Sequence, residues 1–321
     1  MVFLRNLQSL FASKVILSQM ASHVKVQIDA AKSVEHAVSS EDIEFPEIDI
    51  IVVDSATTLV SLLENLIDLP TNPPSLYLDL EGVKLGRHGS ISIISLYIAP
   101  IKKVYLIDIH QLGKTAFSTI NRSATSLKTI LESPTISKVI FDIRNDSDAL
   151  FSHFQISVNG IHDLQLMELA TRKGSKDIVA GLAKCIENES PISAAAKEEW
   201  QRTKEAASQL FNPKKGGRYE VFNDRPMKPE IIQYCARDVA LLPGLYNVYD
   251  AKLCLPREAH WQTRVRKATK DRIKLSQSPN YDGHETWKKI RGPWHWNKGV
   301  FQGNKFNTKK NTGAGSSSGL Q

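Results

Sequence analysis

The stretch LYLDLEGVKLG (residues 76–86) has the apolar composition of a buried strand, but it carries two acidic residues, Asp79 and Glu81. Successive side chains of a strand point to opposite faces, so these two carboxylates project to the same side. Two unit charges about 4 Å apart repel by about 4 kcal/mol near a protein surface, and burying either one without a partner costs more. A strand end with both groups in water would explain the pair. A divalent cation with converging oxygen ligands would also explain it, and this explanation requires further carboxylates later in the chain.

The bulk composition is that of a chain able to bury a full hydrophobic core, with 321 residues of which 41% are hydrophobic. The sequence has no run of 18 apolar residues, so we expect no membrane span. Cys185, Cys235 and Cys254 are odd in number and far apart. They fit neither a zinc site nor a disulfide framework, and they suit a reducing compartment inside the cell.

Positive charge is concentrated in the C-terminal part. Residues 255–321 contain 14 Lys and Arg against 4 Asp and Glu, whereas the whole chain contains 41 against 34. The same part holds Trp261, Trp287, Trp294 and Trp296, four of the five tryptophans. Basic residues interleaved with aromatic rings suit a nucleic-acid backbone whose bases stack on the rings. A solvated, partly disordered tail has a similar composition, so both interpretations remain for this basic extension.

The N-terminal segment contains no acidic residue over positions 1–28, together with four serines and three basic residues. This composition resembles a mitochondrial presequence, although an ordinary N-terminal segment is the alternative. The basic C-terminal part would equally suit a nuclear signal. We therefore treat residues 1–47 as an extension that resembles a targeting segment, and leave mitochondrial, nuclear and cytoplasmic locations open, with the mitochondrial one favoured.

Predicted strands alternate with predicted helices between residues 48 and 254. This pattern indicates one α/β domain with a mixed sheet covered by helices. Pro229 is expected to open one long amphipathic helix at the end of the domain. The other predicted elements are strands at 48–54, 90–99, 102–109 and 137–143 beside the carboxylate strand, and helices at 116–132 and 148–154.

Acidic residues recur in the segment KVIFDIRNDSDALF (138–151), which contains Asp142, Asp146 and Asp148. After a predicted strand, Asn145 would cap a helix whose first turn holds Asp148. Acidic residues are stabilised in the first turn of a helix, so this segment has a structural explanation of its own.

The predicted C-terminal helix of the domain carries Tyr234 and Asp238, which are four residues apart and therefore share a face. Leu241 and Leu242 extend that face, which indicates that it points into the protein. A core tyrosine and an ion-paired aspartate would explain the two residues separately.

Taken together, Asp-x-Glu on a strand, an acid early in a helix and Tyr-x-x-x-Asp late in the domain resemble the DEDD 3′–5′ exonuclease superfamily, specifically its tyrosine subclass around ribonuclease D. The resemblance covers about residues 48–254. The segments RNDSDALF, GGRYEVFNDRP and EIIQYCARDVALL are especially similar to fungal proteins described as 3′–5′ exonuclease domain-containing. The histidine subclass has its histidine five residues before the last aspartate, where this chain has Gln233. The resemblance implies a ribonuclease H-like fold, with a mixed five-stranded sheet flanked by helices.

The resemblance also implies a catalytic, metal-binding site. Asp79 would bridge two Mg²⁺ or Mn²⁺ ions, Glu81 and Asp238 would complete the first ion site, and Asp148 would hold the second ion. Tyr234 would orient the attacking water and help to deprotonate it. The two ions would neutralise the carboxylates, activate the water and stabilise the leaving 3′ oxygen.

Three other acidic residues, Asp142, Asp146 and Asp163, lie close to these motifs. Asp146 is the direct rival of Asp148. We prefer Asp148 because the apolar residues that follow it, 149–151, best match the helix of the family. Asp163 is expected to cap a helix or to support the site.

Basic residues in two loops are candidates for contact with substrate. Arg87 and His88 follow the carboxylate strand, and Lys214, Lys215 and Arg218 flank a glycine pair shortly before the last helix. Glycine turns let a phosphate approach backbone N–H groups. Exposed loop charges that are simply solvated are the alternative for both groups.

The sequence therefore predicts a metal-dependent exonuclease that acts on the single-stranded 3′ end of RNA or DNA and releases nucleoside 5′-monophosphates, with no membrane partner. A slow or inactive nucleic-acid-binding scaffold with the same fold is the alternative. The presence of all four acids and the tyrosine favours the enzyme. The choice between RNA and DNA depends on a contact with the 2′-hydroxyl, for which the sequence has no motif, and protein partners are not indicated.

Overall fold

The structure is a computed structural model that describes residues 44–283 and 290–294. The segment that resembles a targeting sequence, Trp287, Trp296 and the low-complexity C-terminal end lie outside the described residues. Within the described ranges, no helix is both long enough and apolar enough to span a bilayer.

A mixed six-stranded sheet forms the centre of the domain, with the strand order β1-β4-β3-β2-β5-β6. β3 runs antiparallel to both of its neighbours, and the remaining pairs are parallel. The predicted mixed α/β class is confirmed. The sheet has six strands where five were expected, and its last edge strand, β6, has only three residues. The strands are β1 Asp49–Val53, β2 Leu76–Glu81, β3 Ile93–Ile98, β4 Lys103–Asp108, β5 Lys138–Ile140 and β6 Ile161–Asp163.

Helices cover both faces of this sheet, and the buried apolar side chains form one cluster on each face. Leu76 and Leu78 of β2 belong to one cluster, and Tyr77 belongs to the other. Asp79 and Glu81 have the same parity as Tyr77, so they point to its face. The helices of the described ranges are α1 Ala56–Glu64, α2 Ile109–Leu112, α3 Thr115–Ser118, α4 Leu127–Glu132, α5 Arg144–Phe154, α6 Leu164–Thr171, α7 Leu182–Glu189, α8 Ala194–Phe211, α9 Pro229–Ala240, α10 Leu242–Leu253 and α11 Ala259–Ser276.

The helix predicted over residues 229–253 is two helices in the structure, α9 and α10, which meet at Leu241. Pro243 lies in the first turn of α10. Proline has no N–H to donate, and its ring clashes with the carbonyl of the preceding helical turn. It is tolerated in the first turn of a helix, so the chain ends one helix and begins another there.

The helix predicted over residues 116–132 is also divided, into α3 and α4. Asn121 lies between them, and its Oδ1 accepts the backbone N–H groups of the residues two and four positions later. Such local side-chain bonds compete with helical hydrogen bonding. Ser126 then caps α4 by accepting the N–H of Thr129.

The C-terminal helix α11 begins after residue 254, where the sequence placed the end of the domain, and it packs against α5 and α6. Its Arg272 is buried. The guanidinium donates to Asp163 Oδ2 at 2.7 Å and to Gln165 Oε1 at 2.8 Å, and it lies 3.4 Å from Asp142 Oδ1. The domain therefore includes this first part of the basic extension.

Two of the C-terminal tryptophans lie within the described residues, and both pack against the domain. The rings of Trp261 and Trp294 are 5.0 Å apart, edge to face. Lys176 Nζ lies 4.9 Å from the centre of the Trp261 ring, and the guanidinium of Arg264 lies 5.0 Å from it. The Trp261 ring thus already has cationic partners within the chain.

Replacement of Arg272 by methionine should lower the free energy of unfolding by about 3–5 kcal/mol, because it leaves the buried charge of Asp163 without its partner. Urea unfolding followed by circular dichroism measures this loss. Lys270→Met on the exposed side of the same helix is the control and should change the value by less than about 0.5 kcal/mol. Equal losses for the two variants would show that the buried ion pairs do not hold α11 in place.

Candidate active site

Asp79 and Glu81 lie at the end of β2 and remain partly exposed. Burial raises the pKa of Asp79 to about 7, and the negative charge of Asp238 contributes to this increase. Burial and the charge of Asp79 together raise the pKa of Glu81 well above its usual range, against the opposing effect of a hydrogen bond from Tyr234. The two strand acids lie side by side on one face of β2, and the charge of Asp238 acts on both of them.

The helix α9 supplies Tyr234 and Asp238, both buried. Pro229 occupies the first turn of this helix, as the sequence predicted. Because four residues make about one helical turn, both side chains point toward β2. Burial raises the pKa of the Tyr234 phenol well above its usual range, and the charges of Glu81 and Asp238 add to this effect.

Two side chains of α8 that the sequence did not single out contact Asp238. The indole N–H of Trp200 donates to Asp238 Oδ1 at 2.9 Å, and Lys204 Nζ donates to Asp238 Oδ2 at 2.6 Å. Trp200 and Lys204 are four residues apart on one amphipathic helix. That spacing was the available signal, but nothing in the sequence indicated that this face of α8 meets α9.

Asp146 and Asp148 occupy different environments. Asp146 is buried, and this burial together with the charges of Asp79, Asp142 and Glu81 raises its pKa well above the usual range. Residues two positions apart on a helix do not share a face. The charges of the strand acids therefore act on Asp146, and Asp148 lies on a different face of the helix.

Asp148 is paired with Arg87. Its Oδ1 accepts the Arg87 Nε–H at 2.8 Å and its Oδ2 accepts the Arg87 backbone N–H at 2.8 Å. The helix α5 begins at Arg144, so Asp148 lies in its second turn rather than in the first turn that the sequence indicated. The role of Asp148 as a metal ligand stays a prediction, and in this structure its carboxylate is paired with Arg87.

Arg87 itself, a predicted substrate contact, is held by the protein. Its guanidinium donates to three backbone carbonyls at the C-terminal end of α11, each at 2.8 Å, and lies 5.7 Å from the centre of the Tyr281 ring. The Tyr281 hydroxyl donates to Asn145 Oδ1 at 3.1 Å. In this structure Arg87 therefore joins the loop after β2 to α5 and to the end of α11.

The other predicted substrate contacts are exposed. His88 and Lys214 lie at the surface. Lys215 forms an ion pair with Glu205, and Arg218 forms one with Asp224 at 2.7 Å. Their contact with substrate stays a prediction.

Asp142 and Asp163, two of the three rival acids named from the sequence, support the fold. Burial raises the pKa of Asp142, but the charges of Arg272 and Arg144 outweigh it and leave the pKa below its usual value. Asp163 Oδ1 accepts the N–H groups of Gln165 and of the next residue at the start of α6, which confirms the expected capping role. These acids fix the turn between β5 and α5, from which Asp146 projects.

A cleft of about 190 Å³ opens beside Glu81. Its lining includes Asn145 and three aromatic residues, here called the aromatic wall: Phe211, Tyr219 and Phe222. The aromatic wall is fixed by the turn before α9, in which buried Asp108 of β4 pairs with Arg225. No sequence motif indicated this ion pair, because its members are 117 residues apart.

The donor chemistry of the four acids fits a hard divalent cation. Asp79, Glu81, Asp146 and Asp238 offer only carboxylate oxygens, and the raised pKa values of the first three result from burial together with mutual repulsion. In the described part of the chain, no three His, Cys, Asp or Glu side chains are close enough to form a ready-made ion site. Lys204 donates to Asp238 within this group.

The metal-free protein should lose stability as the pH rises from about 5 to 8. Asp79 has a pKa of about 7 in the folded state and an ordinary value of 3.8, so the folded state binds the extra proton in this interval. That contribution, up to about 2 kcal/mol after allowance for solvent screening, is present at low pH and lost above the folded pKa. Urea unfolding in EDTA at pH 5 and 8 measures it. Asp79→Asn should flatten the dependence, and an unchanged slope would contradict the assignment.

Comparison with known proteins identifies the family that this chain is similar to. A family model described as 3′–5′ exonuclease matches residues 42–253. The piRNA biogenesis protein EXD1 of Mus musculus is 37% identical over 89 residues, which are 28% of this chain and 14% of the mouse protein. The Homo sapiens protein of the same name is 37% identical over 89 residues, or 16% of its length. The match therefore spans only a small part of these relatives.

Solved structures show the same fold. Ribonuclease D of Trypanosoma brucei, solved in complex with RNA U12, has a TM-score of 0.57 and 19% identity over 72% of each chain. Escherichia coli ribonuclease D, described as an exoribonuclease involved in structured RNA processing, has a TM-score of 0.50 and 18% identity over 73% of this chain and 51% of its own. The mixed sheet with flanking helices is thus the fold of ribonuclease D.

Proposed function

The chain belongs to the 3′–5′ exonuclease family, and on that premise we propose that it removes nucleotides from the free 3′ end of a single-stranded nucleic acid as nucleoside 5′-monophosphates. One observation carries this proposal. Asp79, Glu81, Asp146 and Asp238 come from three separate elements, and their charges act on one another beside Tyr234. A fold that needed these acids only for stability would give each of them a basic partner, whereas within the described residues Asp238 alone among these four forms an ion pair, with Lys204.

In this proposal the metal ligands are Asp79, Glu81, Asp146 and Asp238, and Asp146 takes the place that sequence analysis gave to Asp148. When bound, two Mg²⁺ or Mn²⁺ ions activate the attacking water and neutralise the charge of the reacting phosphate and the leaving 3′ oxygen. The protein contributes the positions of the carboxylates, which are set by β2, α5 and α9.

Tyr234 would orient the attacking water. Its phenol is hydrogen-bonded to Glu81, and its raised pKa keeps it protonated at neutral pH. A neutral phenol donates one hydrogen bond and accepts another, so it can hold a water molecule against the scissile phosphate. These properties support a role for Tyr234 in positioning the water. They do not support removal of the water's proton by Tyr234, which the family resemblance also implied.

We propose RNA as the first substrate to test. The ribonuclease D of T. brucei that shares this fold was solved with RNA. Phe211 and Tyr219, the partly exposed members of the aromatic wall beside Glu81, suit the stacking of a terminal base. Stacking is tolerant of base identity, as removal of successive nucleotides requires.

The decisive experiment is degradation of 5′-labelled single-stranded RNA and matched DNA with Mg²⁺, with Mn²⁺ and with EDTA. We expect a metal-dependent ladder that shortens from the 3′ end, faster on RNA and abolished by Asp79→Ala. Glu198→Gln, on the exposed side of α8, is the control and should keep the wild-type rate. If no ladder forms on either strand while salt-sensitive binding persists, the protein is a nucleic-acid-binding scaffold with this fold.

The assignment of Asp146 is tested by comparing Asp146→Asn with Asp148→Asn. The first should lower the exonuclease rate at least about 100-fold and leave the fold intact, since it removes a ligand and relieves repulsion. The second should keep the rate within a few fold and lower the unfolding free energy by about 1–3 kcal/mol, because it weakens the pair with Arg87. A folded, inactive Asp148→Asn beside an active Asp146→Asn would restore the sequence-based assignment.

A further inference from the structure

The ammonium group of Lys204 lies among the carboxylates of the active site. Its Nζ is 2.6 Å from Asp238 Oδ2. It also lies 5.0 Å from the ring centres of both Trp200 and Tyr234. A cation is favoured over such aromatic faces, so the ammonium is held by two rings as well as by the carboxylate. Burial lowers the pKa of Lys204, but Asp238, Glu81 and Asp79 outweigh this effect and leave the pKa raised.

Both oxygens of Asp238 are therefore in use. Trp200 donates to Oδ1 at 2.9 Å and Lys204 donates to Oδ2. The indole bond fixes the rotation of the carboxylate. A carboxylate oxygen has two lone pairs, so a divalent ion that binds Oδ2 on the side of Lys204 competes with the ammonium for that position.

Two arginines near the site have acidic partners of their own. Arg87 pairs with Asp148, and Arg272 pairs with Asp163. Lys204 differs from them because its partner belongs to the group of acids with strong mutual repulsion. Its positive charge offsets part of that repulsion within a single ion pair.

We propose that Lys204 is the built-in counter-ion of this acidic cluster, which holds the Asp238 carboxylate oriented until a divalent metal ion displaces the ammonium from Oδ2. The inference rests on the proposed metal site. Two effects of Lys204 are therefore expected. Lys204 must weaken metal binding, because the ion competes with an ammonium already in place, and it must stabilise the metal-free state.

The test is Mn²⁺ binding to the full chain without nucleic acid, measured by the electron paramagnetic resonance signal of free Mn²⁺. Lys204→Met keeps the length of the side chain and removes its charge. We expect Mn²⁺ to bind at least about tenfold more tightly to this variant than to the wild type. Lys204→Arg restores a cation and should return the affinity toward the wild-type value. Lys204→Gln, which keeps a donor for Asp238, is a second uncharged variant in case the methionine variant does not fold.

Thermal unfolding gives an independent measurement of the same role. In EDTA, Lys204→Met should melt at a lower temperature than the wild type, and saturating Mn²⁺ should close or reverse this difference. Lys197→Met is the matched control on the same helix, because Lys197 donates to the carbonyl of Glu187 at 3.0 Å rather than to an acid of the cluster. The control should leave Mn²⁺ affinity unchanged.

Three other outcomes have defined meanings. If folded Lys204→Met binds Mn²⁺ no more tightly than the wild type, which itself binds Mn²⁺, the counter-ion role is wrong and the metal site stands. If neither protein binds Mn²⁺, both the counter-ion role and the proposed metal-dependent function are wrong. If Lys204→Arg binds Mn²⁺ as tightly as Lys204→Met does, the effect comes from the lysine stem and not from its charge, and the proposal is overturned.

Discussion

Repulsion among carboxylates gathered at the end of β2 is the constraint on which the rest of this structure depends. Asp79 and Glu81 point to the same face of the strand, and Asp146 and Asp238 approach them from α5 and α9. Such a group destabilises the protein that contains it unless protons, a basic side chain or bound cations offset the charge. The raised pKa values express this cost, and a divalent metal ion is the partner that would remove it.

A second set of acidic residues keeps these four acids in place, and it differs from them in having arginine partners. Each member of this set has an arginine partner, so its charge is compensated within the protein. Three of the four ion pairs join parts of the chain that are distant in sequence, and the pairs fix the turns from which the repelling acids project. The pairs are Asp108 with Arg225, Asp142 with Arg144, Asp148 with Arg87 and Asp163 with Arg272.

The helix α11 has a larger part in this framework than its basic composition indicated. Through Arg272 it supports the β5–α5 turn, and through the carbonyls at its C-terminal end it holds Arg87 beside α5. Lys204 on α8 has a different task, since its partner Asp238 belongs to the repelling set. The helix α11 therefore fixes the geometry of the acidic site, and the helix α8 offsets part of its charge.

The sequence alone was sufficient for the parts of the site that lie within single elements. Asp79 and Glu81 share a face because a strand alternates, and Tyr234 and Asp238 share a face because a helix turns every 3.6 residues. The motifs in order also indicated the family and the mixed α/β class. Pro243 divides the last predicted helix and is visible in the sequence. The prediction of one helix gave more weight to the helical periodicity than to this proline.

The tertiary structure decided how separate elements face one another. The choice between Asp146 and Asp148 depends on where α5 begins and how it is rotated against β2, and both acids fit a helix equally well in sequence. The contact of Lys204 with Asp238 joins residues 34 positions apart on different helices. Periodicity fixes the direction of a side chain relative to its own backbone, whereas only packing fixes the direction of one backbone relative to another.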